Sequence, residues 1–512
     1  MNLSCIGSII LVLGAFPANT SAQRPSTPYA TSYQVNVNAQ GQNIGGDAAN
    51  EPSLCIDPTN PERIAIGWRQ FDSVTSDMRQ AGWAYSTNGG LTWTFPGTIE
   101  TNIFRSDPVL AADAEGRFYY LGVLTNSATN VNYHCDLFRS TNGGMTWQPL
   151  GPAVGGDKEW MVIDTTSGPG RGNIYQAWSP GFNYANNPNK VFSRSTDGGQ
   201  TWMDAVALPQ YPYWGTLDIG VNGEVYVVGW DGSTFWVNRS TNAPNRNVTP
   251  TFDLTAPVDL GGGLIYGSSL VNPIGLLGQP WLAVDRSTGP TRGNVYVLSS
   301  VGGTGNPTDV VFVRSTDGGV TWSAPQRIND DATNQNAFHW FGTMSVAPNG
   351  RIDVCWNDTR NDPTNNFSEL FYSFSLDGGL TWSTNIALSP PFNSLLGFPM
   401  QPKIGDYMGM VSLNDSACIA YSATFNGEED VYFVRFEFPV IKSVAQVDNA
   451  LRLTWKAVEG RRYCVESKNS LDVPWSSATT VGCLVATNTL AFLDDKTFGS
   501  ASQRYYRVVA QP

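Results

Sequence analysis

Histidine is nearly absent from this chain. Its 512 residues include two, His134 and His339, which excludes a histidine-rich metal centre and disfavours a Ser-His-Asp hydrolase site. Charge is scarce as well: Asp, Glu, Lys and Arg make up 14% of the residues, with 30 basic against 43 acidic side chains and a formal net charge of −13. The basic residues form no runs, so nucleic acid and anionic membrane surfaces are not expected partners, and an anionic ligand would need a local arginine pocket. Long apolar runs are missing too. Beyond residues 6–16 no stretch is apolar enough to suggest a bilayer span. The seven cysteines lack the spacing of a zinc site.

The apolar run 6–16, followed by small residues ending Thr20-Ser21-Ala22, reads as a signal peptide over residues 1–22 with cleavage before Gln23. Its amino-terminal flank lacks Lys and Arg, which leaves an uncleaved anchor as the alternative. A secreted protein, extracellular or periplasmic, is the expectation. Export permits disulfides, and Cys464 with Cys483 is the expected pair because both fall in a small C-terminal domain.

What is abundant is glycine, with 52 residues, and aromatic side chains, at 12%. That composition suits a large β-rich core. The segment Ser315-Thr316-Asp317-Gly318-Gly319-Val320-Thr321-Trp322 recurs at 86–93, 140–147, 195–202 and 375–382, with a decayed copy beginning at Arg239. An Asp or Asn followed by two glycines supplies the positive φ of a tight turn, and the Trp buries a large ring beneath it. Between these turns an apolar strand ends in Asp or a turn and is followed by a second, aromatic-rich strand. The pattern begins at Glu51, Asp107, Trp160, Trp214, Trp281, Thr343 and Tyr407, which makes seven strand pairs.

The repeated octapeptides resemble Asp boxes, the BNR repeats of sialidases and related β-propellers, and the likeness spans roughly residues 30–440. It implies an all-β propeller over residues 23–438, with seven blades favoured by the strand pairs and six, the number in the resembled sialidases, as the alternative. The seventh repeat has no box, and the alternating segment 31–38 is expected to supply its outer strand. From 439 to 512 the repeat stops; Trp455 and the run Arg504-Tyr505-Tyr506-Arg507-Val508-Val509 resemble a fibronectin type III module, a small β-sandwich.

Aligning the repeats names a rim where the inner strands begin: Glu51, Asp107, Lys158, Trp214, Gln279, Phe341 and Asp406. Neighbours add Arg105, Asp157, Glu159, Tyr213, His339, Trp340 and Tyr407. Carboxylates converging with aromatic platforms suit sugar binding and glycosidic cleavage, with extracellular glycans or glycoproteins as partners and Glu51, Asp107 and Asp406 as candidate acid or base. Alternatively these acids cap strand starts or hold a structural cation such as calcium; no other cofactor is expected. The sialidase resemblance implies an arginine cluster and a tyrosine nucleophile. Arg69, Arg105 and Arg360 are the candidate arginines and Tyr407, after Asp406, the candidate phenol. The Arg-Ile-Pro signature of that family is absent, its nearest counterpart being Phe104-Arg105-Ser106-Asp107-Pro108. The oxygen-rich loop 356–366 reads as an Asx-rich turn, with calcium as the alternative.

Overall fold

A computed structural model of the protein describes residues 21–511, apart from 128–129, 182–188, 268, 304, 459, 471, 473–476 and 501–502. The expected leader lies outside these residues except for Ser21 and Ala22. Among the described residues, no helix is long and apolar enough to cross a membrane.

Six successive sheets each contain four antiparallel strands in chain order, the first being Ala48–Ile56, Ile64–Phe71, Gln80–Ser86 and Thr94–Thr98. The sixth sheet carries a further short strand, Phe392–Asn393. In the seventh sheet Gly409–Ser412, Ser416–Ala423 and Asp430–Glu437 come from the end of the repeat region, and the outermost strand is Ser32–Gln34 from the chain's beginning. Ser32 pairs with Val434 and Gln34 with Tyr432. The expected N-terminal strand therefore closes the ring.

The core consists of layers between sheets. One layer joins Ile66 and Trp68 of the first sheet to Cys418 and Phe433 of the seventh; another joins Ala65 and Trp83 to Phe118 and Tyr120 of the second. Equivalent layers continue between each following pair until the sixth meets the seventh. Because both faces of each sheet are covered, a strand such as Ala48–Ile56 is buried throughout, without alternation of buried and exposed residues. Side-chain hydroxyls stitch neighbours together. Ser53 Oγ accepts from Leu110 N at 2.9 Å, and Ser300 Oγ accepts from Gly342 N at 2.9 Å.

The boxes lie at the end of the ring opposite the rim and have two jobs. Inside each turn the serine hydroxyl accepts from the second glycine, as Ser375 Oγ does from Gly379 N at 2.9 Å, while Asp377 Oδ1 accepts from Thr381 N at 2.9 Å. Between sheets, that glycine lets the backbone slide under its neighbour. Gly379 has φ +81°, and a Cβ there would stand 2.3 Å from the Phe312 ring of the preceding sheet.

Residues 441–511 form two three-stranded sheets, with strand orders Ile441–Val447, Ala450–Lys456, Leu490–Asp495 and Thr479–Val485, Arg462–Lys468, Tyr505–Gln511. They enclose Trp455, Tyr463 and Val465. Cys464 and Cys483 face each other across this second sheet and form the expected disulfide. The other described cysteines, Cys55, Cys135, Cys355 and Cys418, are buried thiols.

Candidate functional site

The inner strands begin with an unusual backbone. Glu51, Asp107, Lys158, Trp214 and Phe341 all have φ between +46° and +60°. Three of these positions also interrupt the ladder, with register shifts between Asn50 and Ser53, Ser106 and Val109, and Trp340 and Thr343. Left-handed backbone at a bulky residue costs on the order of 1 kcal/mol or more and persists where surrounding structure imposes it. A bulge of this kind re-aims a side chain at a strand's start. Gln279 and Asp406 lack the positive φ; in the seventh sheet it falls one residue earlier, on Gly405 at +108°.

These strand starts bring six charged groups together. Lys158 Nζ lies 2.5 Å from Asp107 Oδ1, 2.7 Å from Asp406 Oδ2 and 3.6 Å from Glu51 Oε1. Lys403 Nζ lies 3.2 Å from Glu51 Oε1 and also contacts Asp406 Oδ2. Arg69 Nε approaches Glu51 Oε2 at 3.2 Å and donates to Asn50 Oδ1 at 2.8 Å. None of these side chains is more than 11% exposed. Three cations thus face three carboxyl groups in a site shielded from water.

Proton affinities within the cluster are split. Burial raises Glu51 to about 7 although Arg69, Lys158 and Lys403 oppose it. Burial would also raise Asp107, but Lys158, a hydrogen bond from Glu51 and Arg69 outweigh it and hold Asp107 at about 2. Asp406 is held well below the ordinary carboxylate range against its burial by Lys158, Lys403 and Arg69. Glu51 therefore takes up a proton more readily than either aspartate. Asp157, half-buried, is raised to about 6 by desolvation and by repulsion from Asp107. Glu159 is raised further by burial and by Asp107, and neither of its oxygens has a hydrogen-bond partner.

Tyr407 is also buried here. Its hydroxyl donates to the Pro108 carbonyl at 3.1 Å, and burial together with Glu51, Asp107 and Glu159 pushes its ionisation well above the usual phenol range. The Tyr407 ring meets Trp160 edge-on at 5.4 Å, and Trp160 meets Trp281 in the same way at 5.0 Å. Trp160 packs against three of the inter-sheet layers, so aromatic rings fill the ring interior beside the ion cluster.

A second feature opens to solvent at the same end. Trp214 stacks on Trp230 with centroids 6.1 Å apart and planes 25° from parallel, and Tyr266 stands against Trp214 at 4.9 Å. Tyr213 adds a fourth ring at 6.0 Å from Trp214. Tyr266 is 56% exposed and Tyr213 37%. Aromatic faces presented together in this way offer a stacking surface.

The other candidates stand apart. Arg105 pairs with Glu100 at 2.5 Å and Asp136 at 2.7 Å. Arg360 pairs with Asp330 at 2.6 Å and Asp358 at 2.8 Å and lies over the Phe371 ring. Trp340 is buried and donates to Ser368 Oγ at 3.1 Å; Phe341 and Gln279 are buried as well. In the loop 356–366, Asp362 Oδ2 accepts from Asn366 N and Phe367 N and Asp362 Oδ1 from Thr364 N, the bonding of an Asx-rich turn. Sequence reading missed Lys403, Trp230 and Tyr266. A signal for the first existed in its position three residues before Asp406; Tyr266 lies in a loop outside the repeat and gave none.

No family model matches the chain. Among curated proteins it is similar to a xyloglucanase of Paenibacillus sp, 26% identical over 367 residues, which covers 62% of this chain and 32% of that protein. It is also similar to a xyloglucanase of Acetivibrio thermocellus, 24% identical over 435 residues, covering 70% of this chain and 46% of that protein. The chain thus spans from about a third to about half the length of these curated relatives. Among solved structures, a protein of unknown function from Dyadobacter fermentans superposes with a TM-score of 0.46 at 15% identity, covering 82% of this chain and 99% of that one. The phage phi92 endosialidase gives a TM-score of 0.44 at 10% identity, covering 93% of this chain and 78% of that one.

Proposed function

We propose that the protein is exported and recognises a neutral glycan at the rim of the propeller, with the sugar stacked on Trp214, Trp230 and Tyr266. The observation that carries this reading is the aromatic cluster itself, in which Trp214 and Trp230 are half-buried and Tyr266 is exposed. Pyranose rings present apolar C–H faces, and paired aromatic rings bind such faces without needing charge. A neutral ligand is favoured over a sialylated one because Arg105 and Arg360 are each committed to carboxylates elsewhere, while Arg69 is buried against Glu51. The similarity to two xyloglucanases makes xyloglucan the first ligand to examine. The disulfide of the C-terminal sandwich supports export. That sandwich, which resembles a fibronectin type III module, is assigned the role of spacer or attachment domain.

Glycoside hydrolysis is the second reading. It is favoured by the split in proton affinity, with Glu51 at about 7 between two ionised aspartates, the pattern that separates a general acid from its partner. The burial of all three carboxyl groups speaks against access by a glycosidic oxygen.

One experiment separates the readings. Wild-type protein, Trp214→Ala and Glu51→Gln are each incubated with xyloglucan and with sialylated glycans, and both retention and released fragments are measured. Retention of xyloglucan without fragments, lost in Trp214→Ala, supports recognition. Fragment release abolished by Glu51→Gln establishes hydrolysis instead. Equal retention by wild type and Trp214→Ala removes the platform from the binding site.

A further inference from the structure

At the seam where the ring closes, we propose that Asp47, Glu428 and Asp430 bind one calcium ion that joins the first sheet to the seventh. Asp47 immediately precedes the inner strand Ala48–Ile56, and Asp430 opens the strand Asp430–Glu437, against which the N-terminal strand Ser32–Gln34 is laid. The three carboxyl groups are at most 4% exposed, and one oxygen of each lies within 4.8 Å of the others. Two oxygens sharing one calcium at roughly 2.4 Å each can be no more than about 4.8 Å apart, and these oxygens meet that limit.

Amide groups orient all three acids. Glu428 Oε1 accepts from Asn43 Nδ2 and Oε2 from Gly46 N, each at 2.6 Å. Asp430 Oδ1 accepts from Asn36 Nδ2 and Oδ2 from Asn426 Nδ2, each at 2.6 Å. Asp47 Oδ2 accepts from Gln70 Nε2 at 2.8 Å and from Asn36 Nδ2 at 3.5 Å. These donors are neutral amides that cannot balance charge. Among the described residues, no Lys or Arg forms an ion pair with any of the three, unlike the rim cluster, where each carboxyl group has at least one cation.

Two buried oxygens remain without a donor. Asp47 Oδ1 has no hydrogen-bond partner, and neither has the hydroxyl of Tyr432, which lies two residues beyond Asp430 and so on the same face of its strand. Like charges buried together without a counter-ion are strongly disfavoured, and an orphaned carboxylate oxygen compounds the cost. A hard divalent cation resolves both. The all-oxygen donor set suits calcium, and carboxylates oriented by outer amides are the usual construction of such sites.

The test uses the full protein. It is treated with EDTA, dialysed, and measured for thermal unfolding with and without Ca²⁺, Mg²⁺ or Mn²⁺, while metal content before chelation is read by plasma mass spectrometry. The expected result is one equivalent of calcium in the untreated protein and a midpoint raised by roughly 5 °C or more when Ca²⁺ is well above its Kd. Asp47→Asn and Glu428→Gln are expected to lose the calcium and the response, with metal-free midpoints at or above that of metal-free wild type because one repelling charge is gone. An aspartate that only held amide groups would lower that midpoint instead. The proposal is overturned if wild type neither retains calcium nor responds to it, or if a folded variant keeps the full response. A response to Mg²⁺ or Mn²⁺ alone overturns the assignment of calcium.

Discussion

Lys158, at the start of the third inner strand, reaches to 2.7 Å from Asp406, ahead of the seventh. These sheets are not neighbours in the ring. The ion pair therefore ties together parts of the propeller that share no inter-sheet layer, and the same ammonium holds Asp107 of the second sheet at 2.5 Å.

Removing that ammonium leaves two nearly buried carboxylates under-compensated. Lys158→Met is expected to destabilise the propeller by about 3 to 5 kcal/mol, the range for breaking a buried pair on one side only. Equilibrium denaturation with urea, comparing the midpoint and slope of the variant with those of wild type, checks this. A loss below about 1 kcal/mol would show that the cluster rearranges around Lys403.

Glu51 makes stability depend on pH in a defined direction. Its affinity for a proton is raised on folding, from about 4.5 to about 7, so the native state holds more protons across that window. The contribution of this group is fully present below about 4.5 and is lost as pH rises through about 7. Glu51→Gln, which cannot titrate, is expected to close the stability gap to wild type progressively from pH 4.5 to pH 7. Thermal midpoints of both proteins between pH 4 and pH 9 measure it, and a constant difference over that range would refute the assignment.

His339 is buried with Nδ1 2.7 Å from the Thr308 carbonyl oxygen and Nε2 3.1 Å from Asp331 Oδ1. Burial would lower its proton affinity, but the nearby carboxylates of Asp331 and Asp358 outweigh that and raise it above the usual 6.5. Its stabilising contribution is therefore present below about 6.5 and lost as pH climbs through the raised value. Replacement by Gln is expected to remove this high-pH loss. Titration of the imidazole protons by NMR should give an inflection above 6.5, and one below it would refute the prediction.

The boxes act as latches between sheets, and Gly379 offers a direct trial. An added methyl would meet the Phe312 ring at 2.3 Å, at a backbone φ of +81°. Gly379→Ala should cost about 2 to 4 kcal/mol from the two effects together. Gly172, whose φ of +80° comes with nothing within 4 Å of a Cβ, isolates the backbone part when it too is replaced by Ala. Equal losses at the two sites would mean the latch contact contributes nothing.

Much of the architecture was legible because its causes are short-range. In each box the serine, the Asp or Asn and the glycines bond one another within a few residues, as Ser86 Oγ does with Gly90 N at 2.9 Å. Such a motif declares itself wherever it recurs. The rim was legible for a related reason: repeats of one supersecondary unit place equivalent residues in equivalent backbone, and five aligned positions share the positive φ. Tyr266 escaped notice because it lies in a loop with no counterpart in the other repeats.

The amino-acid sequence by itself determined the repeating sheet, the strand borrowed from the chain's beginning and the line of strand starts, since turn chemistry and apolar runs are properties of neighbouring residues. Only the tertiary structure decided which side chains meet. Lys403 reaches Glu51, and Asp47 meets Glu428 and Asp430, solely because the ring closes and brings the first and last sheets side by side. Contacts of that kind depend on sheet twist and closure accumulated over the whole chain, which no local pattern records.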